Sequence, residues 1–267
     1  MSRRAFIASY CGSAFPGWQT QVNGKAIQDV VQGALSVISD QPCKIVCAGR
    51  TDAGVHALKQ VFHVDISTMR PDSAWVRGVN ALLPSAIAIL NSFRVSEDFH
   101  ARFSALGRTY RYVIERSSVQ SPMLVGRAGW VFRPLDVNAM RIAAAMLIGE
   151  HDFSSFRSSQ CQSRSPIRTI FELEFAERGS LLAIQIRANA FLHHMIRNIV
   201  GALVEVGTGR RDLTWFRGMF LAGDRRLGAP TFSAAGLYFV GVDYEFGNAP
   251  SDFITAAAPI PLGNAQW

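Results

Sequence analysis

Along the first hundred residues the spacing of apolar positions changes repeatedly, and each change marks an element. Ala5 to Tyr10 (AFIASY) is a short apolar run suited to a strand. A loop with Gly and Pro, SAFPGWQTQVNG, leads to AIQDVVQGALSVIS, where Ile27, Val30, Val31, Ala34, Leu35 and Ile38 recur at helical spacing. KIVCAG reads as a short apolar strand, and KQVFHVDIS alternates like a half-buried one. Pro71 and Asp72 make a helix start for Ala74 to Leu83, and Ala86 to Phe93 follows as a strand. The order β-α-β-β-α-β is that of a split βαβ unit.

The second half repeats the order loosely. RTYRYVIER is a strand, and Asp136 can cap a helix through Ile142, Ala143, Met146 and Leu147. FELEFAE and LLAIQIRA form a strand pair joined at Arg178-Gly179-Ser180. HHMIRNIVGALVEVG is expected to be helical from its histidines onward, placing His193 and Arg197 on one stripe. GLYFVGVDY closes as a strand. The fold class expected is therefore α+β, with two ferredoxin-like (split βαβ) halves and antiparallel sheets. The halves are placed at residues 1–104 and 105–247. Residues 248–267, with Pro250, Pro259 and Pro261, are expected to form an extended tail over the surface.

Composition narrows the partners. Of 267 residues 49% are hydrophobic and 18% charged, and no run of about 18 apolar residues suggests a membrane span. The opening MSRRAFIASYCGSAF is too interrupted, at Tyr10 and Gly12, for a signal sequence. Cys11, Cys43, Cys47 and Cys161 make no C-x-x-C pair or zinc spacing, which fits a reduced, cytoplasmic chain. The net charge of +7 rests on 24 Arg against 3 Lys. That balance points to an anionic partner, nucleic acid first, since arginine offers a planar fork to phosphate and a face to bases. Codon bias in a GC-rich genome accounts for it equally well. Two such halves side by side can form a basic central cleft.

The stretch CAGRTDAGVHA carries the candidate chemistry. Asp52 and Gly54 suit a tight turn, with Arg50 a solvated neighbour. The other reading is an exposed carboxylate at a strand-to-loop junction, ionised near neutrality and able to act as nucleophile or general base. His56 is either a proton shuttle or a structural hydrogen-bonding group. In RTYRY, alternation puts Tyr110 and Tyr112 on one face and Arg111 on the other. Arg157, Arg164 and Arg168 lie among serines in FRSSQCQSRSPIRT, either as a solvated loop or as a phosphate-binding rim. The adjacent His193 and His194 should diverge on a helix and so hold no metal. The chain has no phosphate-binding GxxxxGK[ST] loop, GxGxxG fingerprint or HExxH pair.

GRTDAGVHA resembles the signature of the TruA family of tRNA pseudouridine synthases. GWQ at Gly17, FHARFSA at Phe99, RTYRY at Arg108, QCQSR at Gln160 and NAFLHHMIRNIVG at Asn189 are similar to further family segments, in family order. One departure is Tyr10-Cys11-Gly12, where the family usually has YDG. The resemblance implies a homodimeric enzyme that isomerises uridine at positions thirty-eight to forty of the tRNA anticodon stem-loop, without a cofactor. It implies Asp52 as catalytic and Arg50 as the residue that displaces or holds the flipped nucleotide. It also implies Tyr110 as the base-stacking aromatic, Arg197 as the partner of the catalytic carboxylate, and Leu237 as an apolar contact to uracil. The rivals are an RNA-binding module without activity and a metal-dependent hydrolase.

Overall fold

The computed structural model describes residues 2–22 and 24–245, which divide into two compact units. The first holds residues 2–108 and 238–245, and the second residues 109–237. The tail expected over 248–267 lies outside the described residues.

The first unit is built round strand β1 (Ser2–Tyr10), which pairs antiparallel with both β3 (His56–Ile66) and β4 (Ile87–Arg94). A two-residue β2 (Val46–Cys47) lies on the far side of β3, so the order is β4-β1-β3-β2. KIVCAG is thus mostly irregular: only Val46 and Cys47 join the ladder, opposite His63 and Phe62. The central strand has no solvated face, so β1 is buried without interruption from Arg4 to Ala8. Helices α1 (Ile27–Ser39) and α2 (Asp72–Asn80) belong to this unit. The Asp29 carboxylate accepts the Ala26 amide at 3.0 Å, tying the first turn of α1. Helix α2 ends three residues before the expected Leu83, because residues leading into Pro84 are biased away from helical backbone.

The core of this unit is aromatic. Phe6 stacks on Phe62 at 5.2 Å, Trp75 meets Phe6 edge-on, and Trp18 tilts against both Phe62 and Tyr10. Arg4 is 2% exposed, held by Ser92 Oγ, an ion pair with Asp72 and the face of Trp75 at 5.5 Å. Burial of a guanidinium is tolerable only with such full pairing.

β5 (Ala105–Arg116) enters the second unit at Thr109. Beside it lie β9 (Leu181–Ala188), β8 (Ile167–Arg178) and β7 (Gly149–Asp152), with β6 (Gly129–Val131) parallel to its far end. Asp136 caps α3 (Val137–Ala145) by accepting the Ala139 amide at 2.9 Å. Helix α4 (Met195–Gly207) is buried over most of its surface, and α5 (Leu213–Leu221) is capped by Asp212. Phe153, Phe156, Phe216 and Phe220 knit α5 to the loop after β7. β10 (Leu237–Tyr244) leaves the second unit after its first residue and pairs in parallel with β3, Tyr238 opposite His56. No helix among the described residues is long and apolar enough to cross a membrane.

Candidate active site

Asp52 sits in the turn between β2 and β3, and neighbouring segments determine the shape of that turn. The Trp18 amide donates to the Thr51 carbonyl at 2.9 Å, and the Val55 amide donates to the Asp52 carbonyl at 3.1 Å. The Thr51 hydroxyl shares a 2.8 Å hydrogen bond with the Tyr10 phenol. The Gln60 side-chain amide donates to the Gly49 carbonyl at 2.6 Å and to the Tyr10 oxygen at 3.3 Å. Thr51, Tyr10 and Gln60 are all buried, and burial pushes the Tyr10 phenol well above its ordinary range. Such buried polar groups hold a geometry firmly, because breaking one bond strands its partner away from water.

Two glycines let the chain come this close. A Cβ on Gly12 would lie 2.0 Å from the Val55 carbonyl oxygen, a contact no side chain can make. Gly17 has φ +107°, and its Cβ would crowd both Thr51 and the Asp52–Ala53 peptide. Gly54, at φ +78°, closes the turn in backbone that disfavours other residues.

Asp52 is half-buried rather than exposed, while Arg50 in the same turn is exposed. His56 is buried: its Nδ1 accepts the Gly12 amide at 3.1 Å, and its ring stacks on Tyr238 at 4.6 Å. In its neutral form the ring proton therefore sits on Nε2. Of the two roles open to it, this one is structural. Burial pushes the nearby Cys47 thiol up to about 12, so it is not a thiolate near neutrality.

The remaining candidates lie in the second unit. Tyr110 and Tyr112 are both buried on one face of β5, as alternation predicts. Tyr110, 8% exposed, meets Phe191 edge-on at 5.1 Å. Tyr112 donates to the Ser233 carbonyl at 2.7 Å, and the Arg197 Nε donates to the neighbouring Phe232 carbonyl at 2.8 Å. The Phe232 amide returns a bond to the Arg197 carbonyl, so Arg197 is clamped to that segment rather than solvated. Leu237, at the start of β10, is buried. Arg157 and Arg168 converge on Ser163: the first donates to its carbonyl at 2.6 Å, the second to its hydroxyl at 2.7 Å. Arg164, between them, is exposed.

Two expectations about the histidines are overturned. Helix α4 begins at Met195, and His194 caps it with φ +62°, so His193 lies before the helix and shares no stripe with Arg197. Nor do the two histidines diverge: their rings are 3.9 Å apart. The left-handed residue turns the chain sharply between them.

Burial raises the Cys161 thiol, but amide donors at His193 and Ser163 and the Arg157 guanidinium outweigh it and lower the thiol below its usual value. For Arg168 burial itself is the cause that lowers it from the ordinary arginine value.

The sequence profile described as tRNA pseudouridine synthase matches residues 6–104 and 143–245. A Bordetella parapertussis protein named tRNA pseudouridine synthase A is 55% identical over 251 residues, covering 92% of this chain and 93% of its own length. Its namesake in Burkholderia ambifaria is 49% identical over 265 residues, covering 99% and 96%. A Bordetella avium protein of the same name is 55% identical over 246 residues, covering 91% and 92%.

Proposed function

The chain belongs to the tRNA pseudouridine synthase family, and from that premise we propose that Asp52 is the carboxylate with which it isomerises uridines of the anticodon stem-loop. Membership makes it an isomerase acting on uridine in tRNA. The finer reading places the targets at positions thirty-eight to forty and requires no cofactor. In the reaction the N1–C1′ bond breaks, the uracil turns, and C5 bonds to C1′. C5 then loses its hydrogen as a proton, and N1 ends protonated, so substrate and product are isomers.

The observation that carries the proposal is the construction of the Asp52 turn. Its backbone is pinned from β1, from the loop before α1 and from β3, while its carboxylate is only half-buried. A group that must meet a reacting ring within a few tenths of an ångström needs such a rigid base. A paired uridine must leave its stack to be reached. Arg50, exposed beside Asp52, is suited to holding the displaced nucleotide. Tyr110 is the aromatic surface for the uracil, with Leu237 as an apolar contact and Arg197 as a further substrate-binding group. Arg157, Arg164 and Arg168 serve the RNA backbone.

The order β4-β1-β3, with the short β2 also paired to β3, supports the reading of the first unit as a ferredoxin-like half to which β10 is added in parallel beside β3. The active form is a homodimer, which sedimentation at micromolar concentration tests: a clean monomer contradicts it. The enzymatic test uses tRNA transcripts tritiated at C5 of uridine. The wild type releases tritium to water in the presence of EDTA and without added nucleotide, and Asp52→Asn releases none while still binding tRNA. Release by the Asn variant at the wild-type rate would remove Asp52 from the chemistry.

A further inference from the structure

The second unit contains a cleft of about 590 Å³ between the loop after β7, the start of α4 and the turn after α5. Arg157, Ser158, His194, Asn198, Arg225 and Thr231 line it, and no carboxylate is among its lining residues. We infer that this cleft is a binding site for a backbone phosphate of the RNA, with Arg225 as its principal ligand. The inference rests on the reading of the chain as acting on tRNA, and it adds Arg225 to the backbone contacts proposed for Arg157, Arg164 and Arg168, of which Arg157 shares the cleft.

Arg225 is the residue built for it. Its Nη2 donates to the Asn198 side-chain Oδ1 at 3.1 Å and to the Thr231 hydroxyl at 3.3 Å. Asn198 is in turn fixed, its side-chain Nδ2 donating to the Phe156 carbonyl at 2.8 Å and its Oδ1 accepting from the Thr231 hydroxyl at 2.7 Å. The guanidinium is thus oriented by neutral groups, and among the described residues no acid lies within ion-pair distance of it. A partly desolvated cation without a counter-charge is an anion site in waiting, and the planar fork matches two phosphate oxygens. Burial lowers Arg225 from the ordinary arginine value, which marks the desolvation without removing the charge.

Gly228 preserves the space. A Cβ there would stand 2.7 Å from Arg225 Nη1, so any other residue would require the guanidinium to shift. Its neighbour Arg226 is different: exposed and paired with Asp224 through two nitrogens, it has its counter-ion already. The 13-residue helix α4 adds its N-terminal end to the cleft through His194 and Asn198, where the helix dipole favours an anion.

The test compares wild type, Arg225→Gln and Ser159→Glu by tRNA binding over a salt series and by tritium release. Ser159 is exposed at the cleft rim, so placing a carboxylate there leaves the packing alone. Loss of one phosphate contact predicts a Kd raised about fivefold or more, and a log Kd against log salt slope shallower by roughly 0.7–0.9. The defect should appear in KM rather than kcat. If Arg225→Gln melts early because Asn198 and Thr231 lose their partner, Ser159→Glu decides alone. Unchanged Kd and slope in Ser159→Glu, or in a folded Arg225→Gln, overturn the site. Wild type that releases no tritium would sink the enzymatic reading instead, and the salt series would still judge the cleft.

Discussion

Gly17 lies so close to Thr51 that a Cβ on it would come within 2.8 Å of the Thr51 carbonyl oxygen. The same Cβ would stand 3.1 Å from the Ala53 amide nitrogen and from the Asp52 carbonyl carbon, and the glycine itself has φ +107°. The loop before α1 is therefore the floor on which the Asp52 turn rests. Gly17→Ala combines an unfavourable backbone with backbone-to-backbone crowding. We expect it to cost about 1–3 kcal/mol of stability. Activity should fall more than the melting temperature implies, by about tenfold or more, since small displacements of a reacting group are expensive. A turnover number like the wild type's in a folded Gly17→Ala would show that the turn needs no such floor.

The Tyr10–Thr51 hydrogen bond joins the centre of the first sheet to the turn. Thr51→Val and Tyr10→Phe each strand a buried polar partner, so each should cost about 1–3 kcal/mol. The double variant removes both groups and should cost less than the sum of the two. Chemical denaturation of the four proteins provides the cycle, and strict additivity would mean the bond couples nothing.

His63 gives the stability a pH dependence. It is buried, its Nδ1 accepts the Ala101 amide at 3.1 Å, and its pKa is lowered to about 4. Burial is the main cause, helped by the charge of Arg3 and by His100, and opposed by Asp65. Near pH 6.5 and below, the unfolded chain takes up a proton that the native ring refuses, so stability falls as pH drops from about 6.5 towards 4. The loss from this one group is on the order of 1–3 kcal/mol. Asn can present an oxygen where Nδ1 lies, so His63→Asn should flatten that part of the profile. An equally steep acid limb in the variant would assign it to other groups.

Arg50 separates function from folding. It is exposed, so Arg50→Ala should change stability by no more than about 0.5 kcal/mol. Its loss should nonetheless lower kcat/KM on tRNA by about tenfold or more, the scale of one charge-assisted contact. Full activity in this variant would leave the flipped nucleotide to other residues.

The elements with a strong local period were legible from the residues: α1 from its apolar stripe, α3 from Asp136, and β5 and β9 from alternation. Short elements were not. β6 and β7, of three and four residues, are too brief to show a period, and they exist because a neighbouring strand offers a ladder. Helix α5 was passed over although Asp212 signals its start. The start of α4 was misplaced because His194 breaks the helix with a left-handed residue, a conformation that a non-glycine residue does not announce.

The candidate site divides in the same way. Asp52 was legible because its short segment carries a family signature, a property of consecutive residues. Its support was not, because Tyr10, Gly12, Gly17 and Gln60 reach the turn from other parts of the chain. Arg225 is one of 24 arginines in the sequence, and nothing beside it distinguishes it from Arg226. Only folding gives one a carboxylate and the other Asn198 and Thr231. The sequence alone determined the chemistry available and the local periods, since both depend on residue type and near neighbours. The tertiary structure decided which charges stay unpaired and how rigidly the carboxylate is held, because both depend on groups that only the folded chain brings together.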